Sequence, residues 1–214
     1  FMESSIILVV ELIGIIAFAV SGAVVAIDKG LDVFGVAFIG EITALGGGVI
    51  RDAVLGIFPP IMFTYKIYTV FAVISAVIVF IIAYRDKYLF YDNVERIDSI
   101  VNIFDAIGIG IFAVTGVQRC IEHGYGDNAF LCIFMAMTTC IGGSIIRDIL
   151  CQKLPAVLRR RIYALATIAG GATYYYMFMY GLDRELSMAA GAGITILIRF
   201  LATKYKWNMP RIEH

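Results

Sequence analysis

Two arginine–aspartate neighbours sit where charge is least welcome. They are Arg51-Asp52, closing the stretch GGGVIRD (46–52), and Arg147-Asp148, closing GGSIIRD (142–148). Each stretch lies inside an apolar run long enough to cross a bilayer. Ionised side chains at such depth are expensive. They are kept where they face a wet cavity or packed protein, and they commonly mark an ion or substrate path. The glycines carry a second message. Consecutive glycines loosen a helix and free backbone carbonyls, which can replace water around a cation. Small residues also let two helices pack closely. Both readings apply to Gly46, Gly47, Gly48, Gly142 and Gly143, with Ser144 standing where a third glycine would complete the second motif.

Depth adds candidates. Arg51 lies about six residues past the centre of its run, roughly 9 Å off the midplane, and Glu11 lies at a similar depth toward the same side. Asp105 and Arg147 fall at matching depth on the opposite side. The expected ion pairs are therefore Glu11–Arg51 and Asp105–Arg147, one on each side of a constriction. Asp52 and Asp148 compete, but adjacent helical residues point about 100° apart and pair poorly. Glu41 is a further intramembrane carboxylate, either a cation contact or a hydrogen-bond partner of a neighbouring helix. Ser21, Thr43, Thr115, Thr138 and Thr139 offer hydroxyls to a wet path, or bond to their own helix backbone.

The elements that must hold these residues are legible from composition. The chain has 214 residues, 61% of them hydrophobic and 16% charged, with mean hydropathy +0.89. Soluble domains carry about a quarter charged residues. Long unbroken apolar runs identify an all-α membrane protein, since a spanning helix needs about 20 such residues. Seven spans are expected, at 5–27, 33–57, 62–84, 99–121, 127–151, 160–181 and 185–205. They form one transmembrane domain over 5–205, followed by a tail at 206–214. The first run has no basic segment before it and reads as a retained helix rather than a cleaved signal.

Lysine and arginine are unevenly placed. Thirteen fall in the loops after spans 1, 3 and 5 and at the C-terminus, against Arg51, Lys66, Arg119 and Arg184 on the other side. The positive-inside rule then puts the N-terminus outside and the C-terminus in the cytoplasm.

The chain also repeats. ELIGIIAFAVSG (11–22) aligns with DAIGIGIFAVTG (105–116), identical at seven of twelve positions. The glycine stretches follow at nearly the same offset, and Pro59 matches Pro155. Met137 is the counterpart of Glu41, so Glu41 breaks the symmetry. Spans 1–3 (5–84) and 4–6 (99–181) are thus two copies of one unit. Because three is odd, the second copy enters from the opposite face, which makes the repeats inverted. The seventh span is unpaired.

This plan resembles the trimeric intracellular cation (TRIC) channels, and the GGG-V/I-IRD form is similar to their bacterial relatives, also grouped as a glycine-transporter-domain family. The likeness covers about 5–205 and implies a place in a bacterial inner membrane. It implies a homotrimer with one hourglass pore per protomer, lined by spans 2 and 5 kinked at their glycines. Ser144 departs from the pattern in the second motif. The lysine-bearing motif of the animal members has no counterpart here, so their lipid-dependent regulation is not carried over.

Other features have plainer explanations. Cys120, Cys132, Cys140 and Cys151 form no CxxC pair and read as small packed hydrophobes. Tyr65, Tyr68, Tyr84, Tyr88 and Tyr174–Tyr176 read as an interfacial aromatic belt. Gly170, Gly171, Gly191 and Gly193 read as packing surfaces, and Arg159–Arg161 as inside-positive bias or an anionic-lipid contact. With His123 and His214 the only histidines and no nucleophile elbow, P-loop or zinc motif, enzyme chemistry is not expected. Neither a cofactor, a bound metal nor a nucleic-acid partner is expected; membrane lipids and monovalent cations are. The expected function is passive K⁺ and Na⁺ conduction, with carbonyls and hydroxyls at the constriction and the ion pairs shaping the field at both mouths. The alternative is a secondary transporter of glycine or a similar zwitterion.

Overall fold

A computed structural model of the chain describes residues 5–86, 94–159, 162–205 and 207. Helices α1 (Ser5–Asp28), α2 (Val33–Leu55), α4 (Lys66–Arg85), α5 (Val94–Cys120), α6 (Ala129–Leu150), α8 (Ile162–Met179) and α9 (Arg184–Lys204) are the long elements. Two four-residue helices, α3 (Ile61–Thr64) and α7 (Ala156–Arg159), precede α4 and α8; neither is anticipated by the apolar runs. No strand occurs among the described residues. Six of the long helices are apolar and long enough to span a membrane. The seventh, α8, spends its 18 residues partly on Gly170, Gly171 and four tyrosines.

Local chemistry sets the ends. Asp32 caps α2 by accepting the Gly35 N–H, and Asn128, its repeat counterpart, caps α6 by accepting the Leu131 N–H. These caps satisfy donors that a helix start otherwise leaves open. Helix α2 stops at Gly56, whose φ of 74° is a left-handed closure that glycine adopts without strain.

Packing follows the repeat. Helix α1 runs against α5, α2 against α6, and the unpaired α9 lies on α8 and α5. The glycines of the two motifs meet at the α2–α6 crossing. A methyl group on Gly47 would stand 2.0 Å from the Thr139 carbonyl oxygen, and one on Gly143 would stand 2.2 Å from the Thr43 carbonyl oxygen. Gly46 faces Gly143, and Gly142 faces Gly47. Both helices keep helical backbone through these glycines. The expected break with freed carbonyls is therefore replaced by backbone-to-backbone packing, for which glycine is needed because it has no Cβ. Gly48 is different: a methyl there would meet only the Arg51 side chain, at 3.8 Å. Gly170, Gly171 and Gly191 pack as expected, whereas Gly193 has open space around it.

Between the repeats lies an apolar cluster that includes Ile15, Phe18, Leu45, Ile109, Phe112 and Ile141. Phe18 and its repeat counterpart Phe112 stack at 5.4 Å with rings 6° from parallel. The four cysteines are free thiols and buried.

Candidate functional site

Two polar networks flank this cluster, and they are built alike. At one end Asp52 takes the Arg51 Nε–H and Nη2–H on Oδ1, at 2.8 and 2.6 Å. Its Oδ2 accepts the Ile61 N–H at 2.8 Å, at the start of α3. At the other end Asp148 takes the Arg147 Nε–H at 2.8 Å, and its Oδ2 accepts the Ala156 N–H at 2.9 Å, at the start of α7. Each aspartate thus ties an arginine to the short helix that follows the proline of its repeat. Expecting Asp52 and Asp148 to be poor partners was wrong for a simple reason. The arginine side chain is long enough to curl back over its own neighbour, and that neighbour is held in place by a second bond.

Next to each couple stands a carboxylate–tyrosine couple. Tyr68 donates its hydroxyl hydrogen bond to Glu11. Tyr163, at the equivalent position, donates to Asp105 at 3.4 Å. Glu11 and Asp105 are both nearly sealed from solvent, at 4% and 2% exposure.

The networks then diverge. Asp105 accepts from Arg147 Nη1 at 3.3 Å and from the Ser21 hydroxyl at 2.6 Å, and Ser21 in turn accepts from Arg147 at 2.9 Å. The structure therefore brings Asp105 and Arg147 together. It does not bond Glu11 to Arg51. Glu11 instead accepts twice from Arg119 Nη2, at 3.1 Å each. Arg119 replaces Arg51 because α1 and α5 are antiparallel, which sets Glu11 level with Arg119 and Ser21 level with Asp105. These levels lie about 15 Å apart along α1, and the Phe18–Phe112 stack sits between them.

Each network borders a cavity. Near Glu11, Arg51, Asp52 and Tyr68 the space is about 30 Å³, room for a water molecule. Near Asp105, Arg147, Asp148, Tyr163, Lys153 and Arg199 it is about 140 Å³. Arg199, from α9, lies with its guanidinium 4.4 Å over the Tyr163 ring and is only 3% exposed.

The remaining expected residues scatter. Thr43, Thr138, Thr139 and Ser144 donate to carbonyls of their own helices, the commoner fate of such hydroxyls. Thr115, the counterpart of Ser21, is buried with its hydroxyl unbonded among the described residues. Glu41 is partly exposed on α2 and lines neither cavity. Tyr68, Tyr174 and Tyr175 are buried rather than interfacial. The hydroxyls of the last two bond Gln118 and the Gly126 carbonyl. Tyr65, Tyr84 and Tyr176 are exposed. Tyr88 and the side chains of Arg159–Arg161 lie outside the described residues. Arg119 and Arg199, counted above as loop and tail charges, are in fact buried helix residues. Setting aside one from each side leaves the charge bias intact.

Comparison with known proteins decides the family. The "Glycine transporter" family model matches this chain twice, at residues 8–84 and 102–179, one match per repeat. Solved structures of TRIC channels superimpose over nearly the whole chain. One is the TRIC trimeric intracellular cation channel orthologue from Rhodobacter sphaeroides, 31% identical, with TM-score 0.86 over 95% of this chain and 100% of that one. Another, a prokaryotic TRIC channel crystallised in 0.5 M KCl, is 35% identical, with TM-score 0.85 over 96% and 99%. The chain belongs to the TRIC family. Among sequence relatives of this TRIC-family protein are a UPF0126 membrane protein of Vibrio cholerae, 32% identical over 98% of this chain and 84% of its own length. The UPF0126 inner membrane protein YadS of Escherichia coli K12 is also 32% identical, over 94% and 93%. The chain is accordingly an integral membrane protein, an all-helical bundle of inverted repeats.

Proposed function

We propose that this protein conducts monovalent cations, K⁺ and Na⁺, passively through a path inside each protomer of a homotrimer. The path runs from the Glu11–Arg51–Asp52 network, between α1, α2, α5 and α6, to the Asp105–Arg147–Asp148 network. The observation that carries this reading is the mirrored pair of buried charge networks with an apolar constriction between them. Chains of similar sequence with the same fold are TRIC cation channels. The charge bias orients the Glu11 end outward and the Asp105 end toward the cytoplasm of a bacterial inner membrane.

The Phe18–Phe112 stack is the gate in this reading. An apolar constriction stops ions by dewetting, because no group there replaces their hydration shell. Conduction requires the two rings to part. The networks then supply carboxylate and hydroxyl oxygens on either side, in place of the freed carbonyls that the glycines suggest in sequence.

Reconstitution tests this. Purified protein in liposomes under a K⁺ gradient should pass electrogenic K⁺ flux with no other solute present. Saturable glycine counterflow with little current would instead make the protein a zwitterion transporter.

A further inference from the structure

Each carboxylate–tyrosine couple is attended by one arginine that the inverted repeat does not supply. Arg119 holds Glu11, but the residue aligned with it in the first repeat is Val25. Arg199 covers Tyr163 from α9, the helix without a repeat partner. Without them the Glu11 end would carry Glu11, Asp52 and Glu122 against Arg51 and Arg184. The cavity at the Asp105 end would carry Asp98, Asp105 and Asp148 against Arg147 and Lys153, and Lys153 is itself paired with Asp28 at 2.7 Å. With them, the surplus of acid falls by one charge at each end.

An excess of acid at a pore mouth concentrates cations there, and this raises entry from that side. Each added arginine reduces that advantage. We propose that Arg119 and Arg199 are specificity-determining residues that each offset one surplus carboxylate, at opposite ends, and so hold down cation entry from both faces. This rests on the conduction reading above.

The two residues act at opposite ends, so their loss has opposite signatures. R199Q should raise K⁺ current entering from the Asp105 end, and R119Q current entering from the Glu11 end. Each variant becomes rectifying, in opposite directions. A unit charge within several ångströms of the path, partly solvated, corresponds to a change of roughly two- to tenfold in the current ratio at ±100 mV in 50 mM KCl. The ratio should fall back toward unity in 1 M KCl, where the screening length is about 3 Å. R199K and R119K keep the charge and should not rectify. A purely structural role would change expression or trimer yield, but it would not give two opposite, salt-sensitive rectifications.

Two half-exposed residues extend the test if a buried glutamine prevents folding. Lys153 lines the same cavity as Arg199, and Arg184 reaches the Arg119 cluster through Glu122. K153Q should rectify weakly in the R199Q direction, and R184Q in the R119Q direction. Wild-type current with symmetric currents in all four glutamine variants, or the same direction at both ends, overturns the proposal and leaves conduction standing. No current from the wild-type protein overturns both.

Discussion

The glycine motif makes a prediction that separates packing from flexibility within three adjacent residues. Gly47 and Gly48 are alike in sequence and unlike in surroundings. At Gly47 an added methyl would lie 2.0 Å from the Thr139 carbonyl oxygen, whereas real Cβ atoms essentially never approach closer than 3.0 Å. The obstacle is backbone on the facing helix, so no side chain can swing aside. Helices α2 and α6 would have to separate by at least about 1 Å at their crossing. Overpacking of this kind costs about 1–3 kcal/mol, occasionally more. At Gly48 the nearest atom is an Arg51 terminal nitrogen at 3.8 Å, an ordinary contact. There alanine should gain part of the roughly 1 kcal/mol by which it exceeds glycine in helix propensity. For a chain of this size 1 kcal/mol moves Tm by about 2–4 °C. G47A should therefore lower Tm by roughly 2–12 °C, and G48A should leave it unchanged or raise it by a few degrees. Thermal unfolding of the detergent-solubilised protein, followed by size exclusion, reads both. If the motif works by loosening the helix, the two variants will behave alike. Equal shifts, or a larger loss in G48A, would refute the packing account.

Other variants test the networks. R147M should cost about 3–5 kcal/mol, because it leaves two buried carboxylates without their cation; the yield of folded protein in detergent checks this. Y68F removes the hydroxyl that Glu11 accepts from and should lower stability by about 1–3 kcal/mol, measured by the same unfolding curve. Charge reversal separates the partners of Glu11: R119E should be partly rescued by E11R, and R51E should not, with folded yield as the readout.

The helices were readable because hydropathy acts over whole segments, and the inverted repeat because twelve aligned residues keep seven identities. The Asp105–Arg147 contact followed from depth alone. Depth failed for Glu11 because two arginines compete at its level and only the α1–α5 alignment chooses Arg119. Tyr68 looked like an interface residue, and Tyr163 was not singled out. Their signal was the matching position in each repeat, in the long helix that follows the proline and the short helix, rather than a place near a span end. Arg199 had a signal as well, a charge inside the apolar stretch ILIRFLA (196–202), but it was counted as part of the tail. The glycines were recognised as special for the right property, the missing Cβ, yet their facing partners belong to the other repeat and are invisible along the chain.

The claim on which the rest depends is that ions cross where Phe18 meets Phe112. Single-channel recording in planar bilayers, wild type against the F18A/F112A double variant, tests it directly. The account predicts K⁺ openings from the wild type and a several-fold higher open probability in the variant. Openings of unchanged frequency in a folded double variant, or a wild-type bilayer that stays silent, would contradict it.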